Sequence, residues 1–217
     1  MLSFTQLHTE LLNQLTQNHL SISETMSKKL IEYVLLLHKW NQIHNLTSIR
    51  DPLQMLSRHI IDSLSISRYL QGPNILDVGT GAGLPGLPLA LTHPQYHFVL
   101  LDSNGKKTRF LMHVLQTLMI SNIDIITMRV ERYHPESCFN SIVSRAFSQL
   151  NEFLQKTKHL CCENGLFLAM KGQYPTEEIS KLDIPFKLIE AKPLKIVDLD
   201  EKRHLLILIN NKKQSLG

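Results

Sequence analysis

The chain has 217 residues, 43% hydrophobic and 19% charged, with 23 Lys and Arg against 19 acids for a net charge of +4. This length suits one α/β domain with roughly 60–70 residues to spare, and the composition is that of a globular protein, not of a disordered or fibrous one. No apolar run approaches the ~18–20 residues that span a bilayer, and MLSFTQLHTELL at the start lacks the basic and apolar blocks of a signal peptide. The mild positive balance is compatible with a polyanionic partner without identifying one. Cys138, Cys161 and Cys162 form no C-x-x-C pair and no disulfide framework readable from spacing, so a reduced, cytoplasmic chain is expected.

Residues 1–72 read as an N-terminal helical extension. Ser21 and Glu24 form an S-x-x-E capping box ahead of a long amphipathic segment. Within it Leu30, Val34 and Leu37, and also Tyr33, Leu37 and Trp40, recur at helical spacing. Asp51 followed by Pro52 marks a second start, a cap and a proline at the first helical position. Its helix carries Leu56, Ile60 and Leu64 on one face and runs to about Leu70, before Gly72-Pro73 breaks the chain.

Residues 73–217 change texture. Strand signals at NILDVG, YHFVLLD, IDIITM, SIVS, GLFLAMK, FKLIEAK and HLLILIN alternate with helical ones at LPLALTH, KKTRFLMHVLQTLMI and 150–163. That alternation predicts a mostly parallel seven-stranded sheet with helices on both faces. The two closing strands lack room for a helix between them, which predicts one antiparallel strand.

DVGTGAGLPGLPLA, residues 77–90, places Gly79, Gly81, Gly83 and Gly86 at the first strand-to-helix turn, where a backbone turns tightly and lets a ligand approach. Gly81 to Gly86 satisfies G-x-G-x-x-G, a weak dinucleotide pattern. No G-K-[ST] follows, which excludes a P-loop. Asp77 would repel a pyrophosphate and suits a cationic ligand. Asp102, closing FVLLD, is placed to accept hydrogen bonds from both ribose hydroxyls. Asp102 alone suits NAD equally; together the two acids favour S-adenosylmethionine (SAM).

His59 and Asp62 lie one helical turn apart, but no further histidine or cysteine stands at metal-site spacing, so no metal is expected. Cys161 and Cys162 fall late in the helix predicted over 150–163, as buried side chains. Cys138 precedes its strand, the wrong place for the nucleophile of a C5-pyrimidine methyltransferase. After SIVS comes Arg145-Ala-Phe, not the D/N-P-P-aromatic turn that accepts from an exocyclic amine. Arginine only donates, so Arg145 suits a guanine Hoogsteen edge, a phosphate or the SAM carboxylate. Lys106, Lys107, Arg109, Arg129, Arg132 and Lys171 follow predicted strand ends and form one candidate basic rim; Lys106, Arg109 and Lys171 are the RNA-binding candidates.

LHKWNQIHNLTSIRDP, RHIIDSL, DVGTGAGLPGLPLA, LLDSNGKKTRFL, SRAF, MKGQ and RHLLIL together resemble, in order and over nearly the whole chain, the bacterial 16S rRNA guanine-N7 methyltransferase G family, also called glucose-inhibited division protein B. The resemblance implies a Rossmann-like class I SAM-dependent methyltransferase that methylates N7 of guanine 527, in the family's rRNA numbering. Family cofactor contacts fall on Gly79, Leu84, Val130, Glu131 and Arg145, beside Asp77, Gly81 and Asp102 read from the residues themselves. Ala82 stands where the family often has proline. The implied partner is 16S rRNA or the small ribosomal subunit, an assembly intermediate included, with a cytoplasmic monomer and no membrane. Guanine N7 offers a lone pair and no proton, so no catalytic acid or base is assigned. The rivals are a SAM- or NAD-holding module without turnover and a small-molecule methyltransferase.

Overall fold

A computed structural model describes residues 3–145, 147 and 149–211. The seven predicted strand segments all form: β1 (Asn74–Val78), β2 (His97–Asp102), β3 (Ile123–Thr127), β4 (Phe139–Ser144), β5 (Cys161–Lys171), β6 (Phe186–Pro193) and β7 (His204–Asn210). They make one sheet in the order β3-β2-β1-β4-β5-β7-β6. β1 to β5 pair in parallel and β7 is antiparallel to both β5 and β6, so β7 is the expected reversed strand.

Side chains alternate across a strand, and here both faces are buried. Ile75, Phe98, Leu100, Val143, Leu168 and Leu205 face one hydrophobic cluster, and Leu76, Val99, Leu101, Ile142, Phe167 and Leu206 face the other. This is why the central strands read as continuous apolar runs rather than alternating ones. The first cluster also takes in Leu7 and Leu11 of α1 (Phe4–Gln17) and Leu30, Tyr33, Val34 and Leu37 of α2 (Glu24–His44). The N-terminal helices therefore share a core with the sheet. Among the described residues no helix is long and apolar enough to cross a membrane.

The cap of α2 is Ser23, not Ser21: its side chain accepts from the Met26 amide at 3.2 Å. Glu24 is then the first helical residue, too early to reach back as a capping-box acid, and instead pairs with Lys28 at 2.6 Å. The next helix starts as predicted, with the Asp51 carboxylate accepting from Leu53 N at 3.1 Å and Pro52 opening α3 (Pro52–Met55). It does not run on as an α-helix. Leu56–Ile61 is π-helical and α4 (Asp62–Leu64) closes it, while Leu56, Ile60 and Leu64 keep their common buried face. Such wide turns concentrate at functional sites, and this one carries Arg58 and His59.

The cysteine expectations are corrected. The helix predicted over 150–163 is α7 (Leu150–Thr157), and Cys161 and Cys162 open β5 instead. Cys138 and Cys162 form a disulfide with Cα atoms 4.9 Å apart. The reason is register: Phe139 pairs with Cys161 across the β4–β5 ladder, so the residue before one strand meets the start of the other. Contact between parallel neighbours leaves no spacing pattern in the chain. Cys161 keeps a free thiol, pushed up to about 12 by burial.

Candidate active site

The sheet reverses its winding between β1 and β4, and ligands of open α/β sheets bind outside the carboxyl ends of strands at such a point. There the turn after β1 runs through Gly79, Gly81 and Gly83 at φ of 69°, 62° and 99°, a region L side chains seldom adopt. Gly81 N donates to Asp102 Oδ2 at 2.9 Å, and Asn104 N to Oδ1 at 2.8 Å. Each Asp102 oxygen retains a lone pair, since an ionised carboxylate offers about four acceptor sites.

Asp77 works from below. It is fully buried, and its Oδ2 accepts from the Thr80 hydroxyl at 2.6 Å and from Gly86 N, where α5 (Gly86–Thr92) begins, at 2.8 Å. Among the described residues Oδ1 has no partner. Burial pushes this carboxyl up to about 6 against the pull of both hydrogen bonds. The Tyr33 hydroxyl, from α2, donates to Ala82 O at 2.9 Å and so ties the extension to the turn. Read as a helix-face residue, Tyr33 gave no sign of this, because the contact spans 49 positions.

Gly79, Asp102, Val130, Glu131 and Phe147 line one cleft of about 160 Å³ over β1 to β3. Val130 and Glu131 sit on a short 3-10 turn, and Lys156 pairs with Glu131 at 2.9 Å, holding that carboxyl below the usual range. Leu84 is buried in the first cluster rather than lining the cleft. Lys106 and Arg109 are exposed on α6 (Gly105–Leu118), which follows β2, whereas Lys171 ends β5. They share an end of the sheet, but β1 and β4 separate them.

Arg145 and Lys171 belong to a second cavity of about 320 Å³ at the ends of β4 and β5, with Arg58, His59, Asp62 and Arg203. Asp62 is 1% exposed. Arg145 Nη1 reaches its Oδ2 at 3.1 Å and Arg203 Nε its Oδ1 at 3.2 Å. Burial pushes the Asp62 carboxyl up, opposed by those two guanidiniums. Arg145 Nη1 also donates to Arg58 O at 3.3 Å, Arg58 pairs with Glu201 at 2.6 Å, and Lys171 with Glu178 at 2.9 Å. Asp62 and Arg203 were missed as site residues. In the sequence Asp62 shows only its helical-turn spacing from His59 and its place in RHIIDSL, and Arg203 only its place in RHLLIL.

Burial, then the Arg145 guanidinium, bring the His59 imidazole down to about 4, with the Arg58 carbonyl pulling weakly the other way. The unfolded ring protonates near 6.5 and the folded one only near 4, so its contribution to stability is present above 6.5 and lost as pH falls toward 4. The stability difference between the protein and a His59→Gln variant is therefore expected to widen as pH rises from 4 to 6.5 and to stay constant above. Urea unfolding across that window checks this; a flat difference contradicts it.

Fold and site together define a Rossmann-like, SAM-dependent methyltransferase. The fold is similar to the crystal structure of TrmN from Thermus thermophilus (TM-score 0.56, 18% identity, 71% of this chain and 53% of that one). It is also similar to coclaurine N-methyltransferase bound to N-methylheliamine and SAH (TM-score 0.55, 11% identity, 89% and 75%). The profile of the family GidB, rRNA small subunit methyltransferase G, matches residues 26–206, and the chain belongs to that family. Relatives named ribosomal RNA small subunit methyltransferase G include those of Photobacterium profundum, 46% identical over 93% of this chain and 98% of the relative, and Pasteurella multocida, 45% identical over 94% and 97%.

Proposed function

We propose that this protein transfers a methyl group from SAM to N7 of one guanine of 16S rRNA, guanine 527 in the family's numbering, in free rRNA or a small-subunit particle. The observation that carries the choice of atom is Arg145 at the end of β4, a side chain that only donates, at the place where transfer to an exocyclic amine needs acceptors. The protein acts as a cytoplasmic monomer, with the 1–72 extension bracing the 73–217 core through contacts such as Tyr33 to Ala82.

The residues present fit the cofactor. Asp102 has lone pairs left for the two ribose hydroxyls, Gly79 and Gly81 leave the backbone of the turn bare, and Val130 and Glu131 close the far wall of the cleft. Asp77, with its unpartnered oxygen, keeps negative potential beneath the turn, and Leu84 packs the turn onto the core. SAM, when bound, supplies an electrophilic methyl on a sulfonium and brings no phosphate for these acids to repel. Guanine N7 carries its lone pair unprotonated near neutrality, so the chain's task is to align the base and exclude water. Arg145 lines the cavity at the ends of β4 and β5, and Lys106, Arg109 and Lys171 hold RNA phosphates.

Asp102→Ala is expected to weaken SAM binding by about 1.5–3 kcal/mol, the scale of hydrogen bonds to a charged group, in a variant whose circular dichroism is unchanged. Unaltered affinity by titration calorimetry removes Asp102 from the site. The function itself is tested by methyl-labelled SAM offered with 16S rRNA, an assembly intermediate and finished small subunits. Label in the rRNA of at least one is expected; label in none, with a small molecule accepting it, overturns the proposal.

A further inference from the structure

The positive charge of the chain is not spread evenly. Between Glu32 and Asp51, and again between Asp102 and Asp124, there is no acid. Those two segments hold Lys39, Arg50, Lys106, Lys107 and Arg109, so the rest of the chain has one acid more than it has lysines and arginines. The fold brings the two segments together. Trp40 of α2 lies 5.6 Å from the ring of Phe110 of α6, and Tyr33 lies 6.3 Å from the same ring. The second half of α2 and the start of α6 thus share one basic face.

Its lysines are unclaimed. Among the described residues Lys39, Lys106 and Lys107 make no ion pair, whereas Arg58, Arg145, Arg203 and Lys171 of the second cavity each have an acid. Lys106 and Lys107 sit in the first turn of α6, the helix end that disfavours cations, so helix stability does not account for them. The face is also aromatic and apolar. Trp40 holds two imidazoles, those of His44 and His113, each with its centroid 5.3 Å from the indole, and both histidines are exposed. Beside them Ile43 is 76% exposed and Met112 49%. Phosphates need cations alone. Exposed flat rings and apolar side chains set among cations fit bare bases, which stack on histidine as on other aromatic rings.

The face adjoins the site at both of its ends. Lys107 Nζ lies 3.7 Å from the place a Cβ on Gly81 would take, at the cofactor turn. α2 ends at His44, and the chain continues into Ser48 and Ile49, which line the second cavity.

We propose that this face carries the substrate RNA away from the target guanine. An unpaired stretch lies along α2 and α6, with phosphates on Lys39, Lys106 and Arg109 and a base stacked on the imidazoles of His44 and His113. The proposal deepens the function given above and rests on it. A duplex, whose bases are stacked on one another, leaves those two rings unused.

Binding is read apart from methyl transfer, by filter retention of small-subunit rRNA in whichever particle accepts label, with S-adenosylhomocysteine in place of SAM. The double variant His44→Ala with His113→Ala is expected to bind about tenfold more weakly, the scale of one lost base stack. Its slope of log K against log salt is expected to stay as in the parent. His44→Phe with His113→Phe keeps two flat rings and is expected within about threefold of the parent. Lys39→Gln is expected to lower the salt slope by about 0.7, the share of one single-strand phosphate. Lys181→Gln and Lys187→Gln, at exposed lysines near the far edge of the sheet, are expected to change neither quantity. Circular dichroism and SAM affinity should match the parent throughout. A double alanine variant that binds as tightly as the parent overturns the proposal, and so does a phenylalanine variant as weak as the alanine one. Equal slope changes for Lys39→Gln and Lys187→Gln overturn it as well, since they mark a diffuse charge effect. In each of these cases the parent still labels rRNA; a parent that neither binds nor labels it overturns the functional reading too.

Discussion

Asp62→Ala is expected to lower the unfolding free energy by about 3 kcal/mol, the low end of the range for removing one partner of a buried ion pair. The ion pairs themselves are poor stabilisers here, because burial outweighs the arginines in setting the Asp62 carboxyl. The cost comes from what is left behind. Arg145 and Arg203 would face each other, with Arg58 on the same cavity wall and the counter-charge gone. Their side chains are 28% and 22% exposed, so water relieves part of the penalty, and the low end of the range applies. Asp62→Asn should recover part of the loss, since the amide oxygen still accepts from one guanidinium. Urea denaturation of the three proteins decides. An alanine variant as stable as the parent would mean that the arginines find other partners and that Asp62 does not organise the cavity.

Gly86→Ala is expected to cost about 3 kcal/mol, the upper end of typical overpacking, and to weaken SAM binding with it. A Cβ there would lie 2.3 Å from Leu100 Cδ2, 2.7 Å from Asp77 Oδ2 and 2.9 Å from Asp77 Cβ. Leu100 can rotate, but Asp77 is fixed by Thr80 and by Gly86 itself, so relief must move the carboxylate that braces the turn. Gly81→Ala makes the contrast. Its φ of +62° strains an alanine, yet the nearest atom to the new Cβ is Lys107 Nζ at 3.7 Å, so a penalty of about 1 kcal/mol is expected. Thermal unfolding should rank Gly86→Ala well below Gly81→Ala. The reverse order would mean that backbone freedom, not the helix-to-strand approach, dominates this turn.

The two glycines show what the chain discloses and what it hides. Spacing alone placed the turn, because tight dihedrals and close packing demand glycine whatever surrounds them. The seven strands were legible for a related reason: a sheet covered on both faces makes each central strand a short apolar run bounded by turn residues. Asp102 was legible because the end of β2 falls directly after such a run. Asp77 reads only in part, since nothing local says that its oxygen turns inward to Thr80 and Gly86. In the Asp62–Arg145–Arg203 cluster Asp62 meets each arginine across 83 or more positions, and the π-helical turn that carries part of this cavity's wall has no residue code. The same holds for Cys138 and Cys162, which meet through strand register. The false capping box at Ser21 is the opposite failure: a local pattern was present, but packing started the helix two residues later.

The central claim is the atom that is methylated. N7-methylguanosine is a cationic purine whose five-membered ring is open to reduction, after which aniline cleaves the chain at that nucleotide. Small-subunit rRNA labelled by the protein with methyl-labelled SAM should, after borohydride and aniline, break at a single guanosine that carries the label. Labelled rRNA that stays intact through both reagents would contradict methylation at N7.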